Sequence, residues 1–378
     1  MRWLIVNTDG PGFVARMYGS HAGLAEQPYS VQQDVRHATW YGVNDFYPKA
    51  LAALGISADV IYADNEPMQR AWMREHAPHD TEAASKVAHS QRQRSSLPLA
   101  AVARRIHAER PDVVIVQEPT VSPAFWETVR DSIGVLVLQI PCAEIFSPLW
   151  RRWLPQIDLR QSWDVFDLVI SSHRSTVAWF AARGMPAFLN RLGFDPRVLR
   201  FAEGVSHRDD ATFCGSLHAG CHSRRARLLR EVGRRHPITI YAAQRGSWLG
   251  KTPRGWVLRP PVYGAGMYRV LAGSRITLNH HGNVREGANN LRLYEATGVG
   301  ALLLTDWQPD LHEIFEPEAE VVTYRSSEEC VDKLRFYLSD ERGRSRIAAA
   351  GQRRTLAEHT YERRMGELVA ELQRRQLL

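Results

Sequence analysis

Asp112-Val113-Val114-Ile115-Val116-Gln117-Glu118 decides the reading of the chain. Four consecutive β-branched apolar residues leave no polar face, as expected of a strand covered by helices on both sides, and the run stops abruptly at two polar residues. The same grammar recurs at Trp3-Leu4-Ile5-Val6, Val135-Leu136-Val137-Leu138 and Leu168-Val169-Ile170. Ala58 to Tyr62 is a further strand, broken in pattern by Asp59. Between the strands lie helical stretches, Phe46 to Leu54 ending at Gly55 and Leu99 to Ala108, whereas 75 to 96 is polar and aperiodic and reads as a surface excursion. A second series begins at Thr212-Phe213-Cys214 and continues through a helix from Arg224 to Val232. Strands at Ile238–Tyr241 and Ile276–Leu278, a helix from Asn290 to Thr297 and a strand at Ala301–Leu304 complete it.

Strands alternating with helices predict parallel sheets, and two series predict an α/β chain of two Rossmann-like domains facing a central cleft. The expected boundaries are 1–200 for the first domain, 201–360 for the second and 361–378 for a final helix returning to the first. The polar stretch from Glu203 to Asp210 is the expected linker. In the last segment Met365, Leu368, Val369 and Leu372 form one apolar face that Thr360 is placed to cap.

The 378 residues, 44% of them hydrophobic and 24% charged, suffice for two cores and exclude a disordered chain or a disulfide mini-fold. Four cysteines without paired spacing suit a reducing cytoplasm. The N-terminus lacks a signal-peptide core and no run reaches transmembrane length, so the expected location is cytoplasmic. The formal charge of +7 permits phosphate-bearing ligands or an anionic membrane surface. Trp150-Arg151-Arg152-Trp153 would serve peripheral attachment at the inner membrane face. The basic residues are spread along the chain without one aromatic-studded stripe, so no specific nucleic acid is expected.

Facing parallel sheets place their functional loops just after the strands. Asp9-Gly10-Pro11-Gly12 follows the first strand, but Ala15 stands where a dinucleotide fingerprint requires glycine, which takes away the best support for hydride transfer. Asp9, Glu118 and His173 are candidate catalytic residues on first-domain loops. In the second domain Gly215-Ser216 and then Arg224-Arg225 precede a helix, a combination of backbone donors and guanidinium groups suited to a diphosphate. The segment from Asn279 to Gly300 adds His281, Glu286, Asn289 and Asn290 in a polar loop. Its helix carries Arg292 and Glu295 on one face, a cation for phosphate and a carboxylate for a ribose diol, or simply an ion pair. Adjacent His280 and His281 point opposite ways in an extended segment and have no suitably spaced third ligand, so no metal is expected.

Asn289-Asn290-Leu291-Arg292-Leu293-Tyr294-Glu295-Ala296-Thr297-Gly298, then Leu311-His312-Glu313-Ile314-Phe315 and Glu358-His359-Thr360-Tyr361, resemble the CgeB-like, spore maturation protein type, branch of the GT-B glycosyltransferases, akin to families 1 and 4. The resemblance implies a metal-independent hexosyltransferase-like enzyme without cofactor. A nucleotide-sugar donor would sit on the C-terminal domain and an unknown acceptor (polysaccharide, glycoconjugate or small molecule) on the N-terminal one. By position, Arg292 would contact the diphosphate, Glu295 the ribose hydroxyls, Gly215, Ser216 and Arg224 or Arg225 the phosphate end, and Glu286 the sugar. Glu286 and Glu295 stand one residue farther apart than the paired glutamates of the retaining families. Two alternatives share the architecture: a sugar-nucleotide epimerase, and a non-catalytic surface-coat or assembly protein.

Overall fold

The computed structural model describes residues 1–79, 99–140, 162–217, 219–242, 252–282 and 287–378, without the side chains of 219–221. Glu286, the tryptophan-flanked arginines at 150–153 and most of the polar stretch at 75–96 lie outside the described residues. The chain divides into two compact units, Met1–Asn190 with Met365–Leu378, and Arg191–Arg364.

In the first unit β1 (Arg2–Asn7), β2 (Ser57–Tyr62), β3 (Val113–Val116), β4 (Val135–Ile140), β5 (Leu168–Ser171) and β6 (Ala187–Leu189) form one parallel sheet in the order β2-β1-β3-β4-β5-β6. The apolar runs occupy its centre, and all four residues of β3 are 0% exposed. Val102 and Ile106 of the helix Leu99–Glu109, Trp126 and Phe180 pack on one face of that sheet. Each such side chain contributes about 1.5–3 kcal/mol by leaving water. Residues 75 and 76 belong to a helix, Glu66–His76, whose Met68, Ala71, Trp72 and Met73 are buried.

The second unit holds β7 (Asp209–Cys214), β8 (Ile238–Tyr241), β9 (Trp256–Arg259), β10 (Ser274–Leu278), β11 (Leu302–Asp306) and β12 (Val322–Tyr324), all parallel, in the order β12-β11-β10-β7-β8-β9. Strands β6 and β12 are only three residues long and β9 is only partly covered, so none of these edge strands carries a long apolar run. Leu192 to Phe194 join this unit: the Phe194 N–H donates to the His359 carbonyl at 2.8 Å, and the Tyr361 N–H donates back to Phe194 at 3.0 Å. The last helix, Tyr361–Arg374, is capped by Thr360, whose Oγ accepts from the Arg363 N–H at 3.2 Å. Its Met365, Leu368 and Leu372 are fully buried.

In each sheet the strand order reverses direction once, between β1 and β3 in the first and between β7 and β10 in the second. Neighbouring loops diverge there to opposite faces, leaving a crevice beyond the carboxyl ends of the strands.

Candidate functional site

The second reversal point gathers most of the residues singled out in the C-terminal half. Asn290 is the N-cap of the helix Leu291–Gly298: its Oδ1 accepts from the Leu293 N–H at 3.2 Å. Its Nδ2 donates to Asn279 Oδ1 at 3.1 Å, and Asn279 in turn donates to Thr305 Oγ1 at 2.9 Å. Three side chains therefore tie the cap to the ends of β10 and β11, so the helix amides are aimed by the sheet. Asn289, half-buried, precedes the cap.

Arg292 donates to the Cys214 carbonyl at 3.2 Å and pairs with Glu295 at 2.8 Å. Burial pushes the Glu295 carboxyl upward, and Arg292 opposes it. The two side chains form an ion pair beside the end of β7. Arg225 reaches from the opposite side, with Nε and Nη2 on the His280 carbonyl at 2.9 and 2.6 Å and Nη1 on the Ser216 carbonyl at 3.0 Å. It thus braces the loop after β7 against the loop after β10. Gly215 begins the first of these loops, where a Cβ would stand 3.0 Å from the Phe213 ring. The helix Ala219–Arg235 departs from helical geometry at His222, so Ser223, Arg224 and Arg225 open its regular part.

Arg224 and Arg225 diverge. Arg224 lines a cavity of about 640 Å³ together with Arg227, His280, Asp306, Trp307 and Arg325. Arg227, three residues further along the same helix, is exposed on the wall of this cavity. His281 turns to β11: its backbone N–H and Nδ1–H both donate to Asp306 Oδ1, at 3.0 and 2.7 Å. Gln308 donates to the other carboxylate oxygen at 2.9 Å. Burial works against ionising Asp306, but His281, His280 and Gln308 outweigh it and hold the carboxyl at about 2. Asp306 had one signal in the sequence, its place at the end of an apolar run. Arg325 had none, because it follows an edge strand of three residues.

The three catalytic candidates all lie in the first unit. Asp9 is buried, paired with Arg36 Nε at 2.6 Å and accepting from Asn65 Nδ2 at 3.0 Å. Burial raises its pKa and Arg36 opposes that. The Asp64 carboxylate accepts the N–H groups of Asp9 and Gly10, both at 2.6 Å, so the anion at the glycine loop is a side chain of the protein itself. Glu118 accepts from Thr8 Oγ1 at 2.9 Å and from the Thr120 N–H at 3.0 Å, joining the loops after β1 and β3. His173, buried, is the N-cap of the helix Arg174–Ala181, and its N–H donates to Ser171 Oγ at 3.2 Å. Asp9 and Glu118 sit at the first reversal point; His173 follows β5, away from it.

Among the described residues there is no cluster of three metal-ligating side chains, and no helix is long and apolar enough to cross a membrane.

Residues 224–370 match the family described as glycosyl transferase-like. No curated protein matches the chain by sequence. Among solved structures, Anabaena HepE in complex with UDP superposes with a TM-score of 0.55 at 13% identity, covering 99% of this chain and 100% of the other. Sucrose-phosphate synthase from Thermosynechococcus elongatus does so at 0.56 and 12%, covering 98% and 99%. AviGT4, a glycosyltransferase involved in avilamycin A biosynthesis, reaches 0.56 at 14%, covering 99% and 97%. The chain has the fold of the GT-B glycosyltransferases and carries a glycosyl transferase-like domain over residues 224–370.

Proposed function

We propose that this chain transfers a sugar from a nucleotide-sugar donor to an acceptor hydroxyl, with the donor on the second unit and the acceptor on the first. One observation carries the reading: Arg225 and Arg292 converge on the backbone of the loops after β7 and β10, at the reversal point of the sheet, beside the Asn290-capped helix. Cationic forks and free helix amides at one crevice suit a diphosphate. In this reading Gly215, Ser216, Arg225, Asn289, Asn290 and Arg292 surround the phosphates, and Glu295 accepts from the ribose hydroxyls. That HepE was crystallised with UDP and with UDP-glucose supports it.

In the transfer the bond from the anomeric carbon to the leaving phosphate oxygen breaks, and the nucleoside diphosphate departs with the electron pair. The acceptor oxygen forms the new bond to that carbon and gives up its proton. Charge accumulating on the leaving diphosphate is what Arg225, Arg292 and the helix N-terminus would stabilise. The proposal assigns this task to arginines in place of a metal. It also places the chain in the CgeB-like branch, on the motif from Asn289 to Gly298, and at the cytoplasmic membrane face, on its positive charge.

Calorimetric titration with UDP, GDP and dTDP, followed by a screen of their sugar conjugates for slow donor hydrolysis, tests the reading. Micromolar binding of one nucleoside diphosphate, with hydrolysis of its sugar conjugate, is expected. Absence of binding to all three would leave a non-catalytic protein of the same fold, and interconversion of the free sugar nucleotide without acceptor would indicate an epimerase.

A further inference from the structure

The sheet edge orders the ligand. Arg292 and Glu295 lie against Cys214 at the end of β7, and Arg225 spans from Ser216 after β7 to His280 after β10. A nucleotide sugar is a linear molecule: nucleoside, diphosphate, sugar. With its ribose at Glu295 and its diphosphate over the boundary of β7 and β10, the sugar extends toward β11 and β12. In that direction lies the cavity of about 640 Å³.

Its wall is rich in donors. Among the described residues Arg227 and Arg325 form no ion pair, although carboxylates stand close by: Glu231 is paired with Arg234, and Glu328 with Arg235 at 3.0 Å. The Arg325 guanidinium stacks 3.7 Å above the centroid of the Trp307 ring, which fixes its plane, and Glu329 accepts only its backbone N–H. Burial lowers the His280 pKa to about 4, so its ring is neutral; Nδ1 accepts from the Gly282 N–H at 2.8 Å, which leaves the proton on Nε2. The two carboxylates on the wall are spent within the protein, Glu231 on Arg234 and Asp306 on His281 and Gln308. Unpaired cations and free donors on a wall whose acceptors are engaged select a ligand with excess acceptors and negative charge.

We infer that the sugar carried by the donor is acidic, its anionic substituent seated between Arg227 and Arg325. This rests on the donor reading above and names its substrate class. The experiment titrates the protein with UDP, UDP-glucose and UDP-glucuronate, with GDP, GDP-mannose and GDP-mannuronate, and with dTDP, dTDP-glucose and dTDP-glucuronate. The acidic conjugate of whichever base is bound should exceed its neutral counterpart by roughly tenfold, one charge-assisted contact. In Arg227→Gln/Arg325→Gln the preference should vanish while the nucleoside diphosphate binds within about twofold of the parent; single Arg325→Gln, an exposed change, should reduce the preference part-way. If a nucleoside diphosphate binds but acidic and neutral conjugates bind alike, the inference fails and the donor reading stands. If the preference survives the double variant, the cavity is not its source and the inference also fails. If none of the three nucleoside diphosphates binds, the donor reading falls and takes the inference with it.

Discussion

Arg292→Met separates the two tasks the structure gives this side chain. The substitution keeps the aliphatic length but removes the charge that neutralises Glu295 at 2.8 Å and the donor held by the Cys214 carbonyl. Breaking a buried pair from one side costs about 3–5 kcal/mol because the remaining charge is stranded. The two side chains keep 15% and 11% exposure, so solvent screens part of that charge and a loss of about 2–3 kcal/mol is expected. Melting should fall by roughly 4–12 °C for a domain of this size. Glu295→Gln strands an arginine that still has the Cys214 carbonyl and some water, so about 1 kcal/mol is expected there. The combined Arg292→Met/Glu295→Gln variant removes both charges and should be more stable than Arg292→Met alone. The pH dependence follows from the carboxyl. Burial already raises its folded-state pKa, and loss of Arg292 raises it further. A folded carboxyl that holds its proton more tightly than the unfolded one adds stability below the unfolded pKa and loses it as pH rises. Denaturant unfolding at about pH 4 and about pH 7.5 should therefore show the larger deficit of Arg292→Met at the higher pH. A deficit equal at both pH values would refute the stranded-carboxylate argument. Titration of the combined variant with the nucleoside diphosphate then isolates binding. A drop of roughly 10- to 150-fold is expected if the pair grips phosphate and ribose, whereas parental affinity would leave it a purely structural element.

Asp9→Ala strands the buried Arg36 and should cost about 3–5 kcal/mol by chemical denaturation, so any activity lost in it must be read after that destabilisation. A variant as stable as the parent would show that the ion pair is dispensable. Asp306 is held at about 2 in the folded chain, below its ordinary value, so it adds stability above pH of about 4 that is lost as pH falls toward about 2. Acid unfolding of Asp306→Asn should consequently be flatter over that window, and an unchanged slope would contradict the pairing with His281. Gly298→Ala places a methyl 2.5 Å from the Phe194 ring, an overpacking that should cost about 1–3 kcal/mol in the melting of the second unit. Retained stability would mean that the ring moves freely.

How much of this was legible in the sequence depends on where each residue sits in its sheet. Central strands announced themselves: Val113 to Val116 and Leu302 to Leu304 are covered on both faces, and a run without polar residues has few other readings. Edge strands did not. Ala187–Leu189 is three residues and half-buried, and Trp256–Arg259 alternates, so neither bears the signature of full coverage. The site shows the same division. Asn290 was visible as a polar residue before a helical pattern, and its capping role is local chemistry. Arg292 and Glu295, three residues apart, were legible as a pair. What could not be read was competition between loops: whether the carboxylate of Asp9 faces a substrate or Arg36 depends on how the helix Tyr29–Ala38 packs, and the amides of Asp9 and Gly10 found their anion in Asp64. The divergence of Arg224 and Arg225 has the same cause. A helix advances about 100° per residue, so adjacent arginines must face different surroundings. Arg225 meets two carbonyls brought together by the reversal of strand order, while Arg224 meets a cavity whose far wall comes from β11 and β12. Sequence spacing names the chemistry available on a loop; strand order decides which of its groups remain for a ligand.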